Sequence, residues 1–335
     1  MIGLLTFPIA MKILFLLALS FVFSHSAIAE RAAFSETGKE VYFRTNTKNS
    51  LTVLNMKTGG ESKRSISLPN DEKIEFKAIA RGQKNEFFLL SDNALWAWKS
   101  DSDAAQLVLK NSDSNVEYRN LTCHKRSGNI VIQAHLKDED RNGSSYALFY
   151  YRPGNPLART YLRHLWKDVI LCPHYLEDGS LLFSVAGDLW HGNLSGHWKS
   201  KEGIEYVNLE AYRYAPISTR SAYNGTSSWE GVEEIVATER KVYVLRSRMG
   251  GSGWGAVMRL DAPSNGKNDD WQVNDDKVVE ALRSLEEIMD NGGAAFLAVS
   301  SDRKIVHLSK GRYHYLVKDD GIAVKITQRG SVNTN

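Results

Sequence analysis

AFSETGKEVYF (33–43) sets an apolar pair, a polar turn and a second apolar run end to end, and the same order returns at CHKRSGNIVI (123–132), YLEDGSLLFSV (175–185) and VSSDRKIVHL (299–308). Six such turns stand along the chain. The runs that follow them are anchored at Val41, Phe87, Ile130, Leu181, Val242 and Ile305. The early spacings are close to the ~40–45 residues of a propeller blade, and the later ones are longer. One such unit buries too little apolar surface to stand alone, so repeats of this kind stack on their neighbours. The expected fold is all-β, a β-propeller of six blades. Each blade reads strand A, a tight turn, strand B, a loop, strand C and strand D.

Blade four shows the pattern in the runs Asp168–Cys172, Leu181–Val185, Asp188–His191 and Glu205–Leu209, and blade six in Ala294–Val299, Lys304–Leu308, Tyr313–Val317 and Ile322–Thr327. Strand A of the first blade falls at Arg31–Phe34, and the last blade supplies its own strand D. Ring closure then rests on side-chain packing. One stretch departs from the β pattern. After Asp275-Asp276-Lys277, the residues Val278, Leu282, Leu285 and Ile288 recur at helical spacing and Asn291-Gly292-Gly293 ends the run, so a helix near 276–290 is expected as an insertion between blades five and six.

The chain begins with a segment outside this pattern. Met11-Lys12, the apolar run ILFLLALSFVF and the small residues Ser26-Ala27-Ile28-Ala29 have the order of a secretory signal peptide, with cleavage expected after Ala29 and Met11 the more typical start. The apolar run is shorter than the roughly 20 residues of a membrane span, and no span is expected in the mature chain. The expected divisions are signal peptide 1–29, propeller 30–328 and a disordered tail 329–335, in a periplasmic or secreted protein. The 42 basic and 39 acidic residues give a formal charge of +3. Such a balance lacks the surplus that gathers phosphate backbones, which argues against nucleic acid. Cys123 and Cys172, the only cysteines, are read at matching ends of the inner strands of neighbouring blades. Export would let them form a disulfide if their Cα atoms come within ~7 Å; the alternative is two buried thiols.

FSETGKEVYFRTNTKNSLTVLNMKTGG (34–60) and LEDGSLLFSVAGDLWHGNLSG (176–196) resemble the strand-turn-strand repeats of TolB-like propellers, across most of residues 31–328. The turn at Ser35–Lys39 has Glu36 and Thr37 where that family usually has Pro-Asp, and the N-terminal α/β domain of TolB itself is missing. The resemblance implies a periplasmic or secreted propeller serving as a protein-binding platform.

Strand alternation sends the A–B and C–D turns to one face of the ring and the B–C and D–A loops to the other. The A–B turns are tight throughout. The long segments, 136–145, 211–229, 248–254 and 262–293, are read on the opposite face, where function would concentrate. The aromatic and arginine residues there make good anchors: Tyr212, Arg213, Tyr214, Tyr223, Trp229, Arg248 and Trp254 are the candidate ligand-binding set. The bland alternative packs the rings over the blade tops. Asp138, Asp140 and Asn142, followed by Gly143, copy the first half of a calcium loop. Phe149 stands where a bidentate Glu would close it, so a hairpin tip is the preferred reading, and no cofactor is expected beyond a Ca2+ at this run. The histidines are scattered, with His191 and His197 nearest to a cluster. No nucleophile elbow or zinc motif occurs. The leading reading is a non-enzymatic exported propeller that binds an envelope or extracellular protein or a glycan through its loop-rich face. The alternative is a glycan-active hydrolase or lyase with acids gathered at the channel mouth.

Overall fold

Each of the six polar turns delivers the chain into a strand buried on both faces. The computed structural model describes residues 31–137, 145–162, 170–185, 188–215, 231–247, 255–263, 280–281, 295–310, 313–317 and 323–326. The first repeat comprises β1 (Ala32–Phe34), β2 (Glu40–Arg44), β3 (Ser50–Asn55) and β4 (Glu61–Ser65), and the second β5 (Ala78–Arg81), β6 (Glu86–Leu90), β7 (Ala94–Lys99) and β8 (Ala105–Lys110). The third has β9 (Val116–Cys123), β10 (Ile130–Leu136), β11 (Ser145–Tyr151) and β12 (Ala158–Tyr161), and the fourth β13 (Ile170–Tyr175), β14 (Leu181–Val185), β15 (Asp188–Lys199) and β16 (Glu205–Ala215). The fifth has β17 (Gly231–Ala237), β18 (Lys241–Ser247), β19 (Gly255–Asp261) and β20 (Glu280–Ala281), and the sixth β21 (Ala295–Val299), β22 (Val306–Lys310), β23 (Tyr313–Val317) and β24 (Ala323–Lys325). Four of the sheets hold four strands each. Repeats three and four share one of eight, because β12 pairs in parallel with β16.

The first strands pack side by side in a closed circuit, β1 to β5, β9, β13, β17, β21 and back to β1. The arrangement is all-β and propeller-like. Its core is divided into layers between successive repeats. Along β6 the alternation is visible: Phe87 and Leu89 pack against Tyr42 and Leu51 of the first repeat, while Phe88 and Leu90 pack against Tyr118 and Ile130 of the third. Val131 and Leu148 meet Leu181 and Phe183, Leu182 and Tyr214 meet Val242 and Val244, and Tyr243 and Leu245 meet Leu297 and Leu308. Ala298 closes the circuit against Phe34, Val41 and Phe43. Among the described residues no strand of the sixth repeat pairs with a strand of the first, so this last junction is made by side chains, as expected. It also carries a histidine pair: the rings of His307 and His314 stack at 5.2 Å, Phe43 lies 5.4 Å from His307, and His314 Nε2 is 2.7 Å from Glu61 Oε1.

Three sequence expectations need correction. Glu280–Ala281, inside the stretch expected to be helical, is strand instead: it pairs with β19 as the outer strand of its sheet, and the rest of that stretch lies outside the described residues. Among the described residues the only helical turn is Pro69–Asp71. Cys123 and Cys172 form no disulfide. The inner strand of repeat four runs to Tyr175, three residues beyond its expected end, so the residue level with Cys123 is Tyr175, whose N–H donates to Thr122 Oγ1 at 3.1 Å. Cys172 sits at a bulge with φ 54° and its thiol donates to the carbonyl oxygens of Glu233 at 3.0 Å and Val232 at 3.3 Å, away from repeat three. Third, Tyr212, Arg213 and Tyr214 belong to β16, not to a loop. β15 and β16 form a long hairpin that bulges between Ser195 and His197, where its outer part turns to pair with β12. Trp198 and Tyr206 stack on that part at 4.5 Å.

Candidate functional site

The innermost strand of a sheet is an edge, and its backbone N–H groups need partners. Here buried polar side chains from the neighbouring repeat supply them. Gln133 Oε1 accepts from Cys172 N at 2.8 Å, Thr122 Oγ1 from Tyr175 N, His174 Nε2 from Ala237 N at 3.2 Å, and Glu234 Oε2 from Leu297 N at 2.6 Å. Glu234 Oε1 also accepts from Arg31 N at 3.4 Å, which links the fifth repeat to both the sixth and the first. These side chains are the acid, the histidine and the amide that a search for catalytic groups in the channel would find. Their acceptor atoms hold strands together.

The tight turns tie to one another in the same way. Ser35 caps its turn by accepting from Glu40 N at 3.1 Å, and Ser300 accepts from Ile305 N at 3.0 Å. A left-handed residue follows in the same part of five turns: Gly38, Lys84, Gly128, Gly179 and Arg303, with φ from 50° to 89°. Glycine takes that conformation without strain; arginine does not. Arg303 nevertheless holds φ 53°, and its Nη2 reaches back to the carbonyl oxygen of Tyr175 at 2.8 Å. From turn to turn, Gln83 Nε2 donates to the Arg126 carbonyl, Arg126 pairs with Glu177, Glu239 N donates to the Arg303 carbonyl, and Ser301 Oγ donates to the Glu36 carbonyl.

Inside this rim lies a cavity of about 90 Å³, lined by the ends of all six inner strands. The inner-strand ends at Ala33, Phe34, Val236, Leu297 and Ala298 border it, with their side chains buried in the layers between repeats, and three cations line it from separate repeats: Arg81, Lys125 and Arg303. Lys125 Nζ reaches the Ser301 carbonyl at 3.4 Å, and Arg81 faces the Glu36 carboxylate at 3.7 Å. Burial pulls the Arg81 guanidinium below its ordinary value, and Glu36 opposes that. Lys125 is also held below its ordinary value, first by desolvation and then by the charge of Arg81, with Arg303 acting in the same direction. His174 lines the same cavity; burial, with Arg303, lowers it to about 3, so it is neutral at pH 7. The arrangement can hold an anion.

The residues singled out in the sequence fall elsewhere. Tyr214 is 4% exposed in the layer between repeats four and five, and its hydroxyl donates to the Asp261 carbonyl at 2.9 Å. Arg213 Nε pairs with Asp188 at 2.8 Å. Tyr212 Oη lies 2.8 Å from His191 Nδ1, and His191 Nε2 lies 2.8 Å from Ser180 Oγ. The Ser180 hydroxyl donates to Asp178 at 2.6 Å, which makes His191 the donor to Ser180 and not its base. These three residues pack the hairpin onto its blade. Tyr214→Ala should therefore lower stability by about 3 kcal/mol or more, from the lost ring and its hydrogen bond, as measured by urea unfolding. Tyr223, Trp229, Arg248, Trp254, Asp138, Asp140 and Asn142 lie outside the described residues. Among the described residues, no group of three His, Cys, Asp or Glu side chains stands together.

No protein-family model matches the chain, and no curated protein matches its sequence. Solved structures do match its fold. The calcium-binding protein regucalcin from Agrobacterium tumefaciens superposes with a TM-score of 0.54 at 15% identity over 90% of each chain. A putative gluconolactonase gives 0.51 at 10% identity over 89% of this chain and 90% of its own, and a gluconolactonase from Xanthomonas campestris 0.51 at 12% over 88% and 87%. These likenesses show a β-propeller fold.

Proposed function

We propose that the chain is an exported, non-enzymatic propeller of six blades that binds an envelope partner at the mouth of its channel, on the tight-turn face. The shared eight-stranded sheet is read as two blades joined at their outer strands. The observation that carries the binding reading is the division of polar groups. The buried acceptors of the channel, Thr122, Gln133, His174 and Glu234, are engaged by backbone N–H groups, whereas Arg81 lines the cavity without a hydrogen bond among the described residues, beside Lys125 and Arg303, which also donate to the Ser301 and Tyr175 carbonyls. Glycan hydrolysis asks for two carboxylates flanking the bond, and the mouth offers cations. Calcium, which the regucalcin neighbour binds, takes six to eight oxygen ligands with carboxylates among them. A lining of two arginines and a lysine does not fit that ion.

The face of the ring is tested by site-specific photo-crosslinking in an envelope extract. A crosslinker at Gln83, on the tight-turn rim, should capture a discrete partner, and one at Lys137, at the far end of β10, should not. Capture at Lys137 alone would return the function to the loop-rich face.

A further inference from the structure

The guanidinium of Arg81 is the least satisfied charged group at the mouth. Its side chain is 10% exposed. Nε, Nη1 and Nη2 are all buried and make no hydrogen bond among the described residues. The Glu36 carboxylate, at 3.7 Å, supplies charge without hydrogen bonds. A buried guanidinium presents a planar fork of donors that matches one ligand shape especially well, a planar oxyanion held through two parallel hydrogen bonds. Leaving such a group desolvated and without hydrogen bonds is costly, which makes its placement at the edge of a cavity informative.

We propose that the channel mouth is a carboxylate site, in which Arg81 grips the acid group, Lys125 and Arg303 supply further positive charge, and the ends of the inner strands at Ala33, Phe34, Val236 and Leu297 border the ligand's short arm. This deepens the binding reading above and rests on it. The cavity of about 90 Å³ is open to solvent and takes an acid group with a few carbons, leaving the rest of a larger ligand outside. Glu36, beside the guanidinium, disfavours a dianion such as phosphate. The arm enters from the tight-turn face, where the six turns surround the opening. The same chemistry could be carried by a free organic acid, by the C-terminus of a protein or by a sugar acid.

The test is saturation-transfer NMR and calorimetry on the purified protein, with propionate as the probe at constant ionic strength. Propionate should bind saturably, propionamide should not bind, and phosphate should bind at least tenfold more weakly. Arg81→Gln and Arg81→Lys should each weaken propionate at least tenfold, with the fold checked by far-UV circular dichroism. If both fail to fold, Lys125→Gln, on the exposed rim, should weaken it several-fold. Tighter binding of acetyl-glycyl-glycine than of propionate would assign the acid to a chain end, and tighter binding of galacturonate than of propionate would assign it to a sugar acid. Equal binding of propionate and propionamide, phosphate binding as tight as propionate, or full affinity in a folded Arg81→Lys protein would each overturn the site. Loss of Gln83 crosslinking with propionate binding intact would overturn the platform reading and leave the acid site standing.

Discussion

Glu234→Ala should lower the unfolding free energy by about 3–5 kcal/mol, the scale for stripping one partner from a buried charged network. The carboxylate is 1% exposed and accepts from the backbone of β21 and from Arg31 at the start of the first repeat. Its removal strands two N–H donors and takes away a counter-charge of Arg31, whose guanidinium burial has already lowered to about 10. Glu234→Gln keeps an acceptor oxygen for Leu297 and should lose less. Urea unfolding of the two variants checks this. A catalytic carboxylate would behave in the opposite sense, since its removal relieves an uncompensated charge and leaves stability unchanged or raised.

Acid should weaken the fold through two histidines. His174 and His307 are both lowered to about 3, first by burial and then by Arg303 and His314 respectively. They are neutral in the folded protein, whereas in the unfolded chain they take up protons below their ordinary value of 6.5. The unfolded state thus binds more protons between pH 6.5 and 3. Stability is fully present above pH 6.5 and is lost as the pH falls through that window, by roughly 3 kcal/mol for each histidine at pH 4. His307 sits in the layer that closes the ring, against Phe34, Phe43 and His314. His307→Phe should remove its share of the acid sensitivity. Denaturation midpoints measured from pH 7 to 4 test this; a flat profile would contradict the buried neutral assignment.

The repeat was legible in the sequence because its signals are local. A polar turn followed by a buried strand needs only a dozen residues, and Val41, Phe87, Ile130, Leu181 and Val242 all fall in the second strands, with Ile305 one residue before β22. Within the run of helical spacing, Glu280 and Ala281 are strand because an outer strand takes its conformation from the sheet it joins, and β20 pairs with β19 through these two residues; Val278, Leu282, Leu285 and Ile288 lie outside the described residues. Tyr214 reads as a binding anchor for the same reason that it packs well: a large ring with a polar tip serves either environment. The mouth was hidden for another reason. Arg81, Lys125 and Arg303 come from three turns far apart in the chain, and only ring closure brings them together. One local signal existed in SSDRK (300–304), where arginine takes the left-handed position that glycine holds in SETGK (35–39) and DGS (178–180).

The most direct test of the basic mouth as the binding site is a crystal structure of the protein grown with propionate. The account predicts six inner strands around the channel and a carboxylate within hydrogen-bond distance of the Arg81 guanidinium on the tight-turn face. Propionate ordered against the loop-rich face, with Arg81 turned away from any anion, would contradict it.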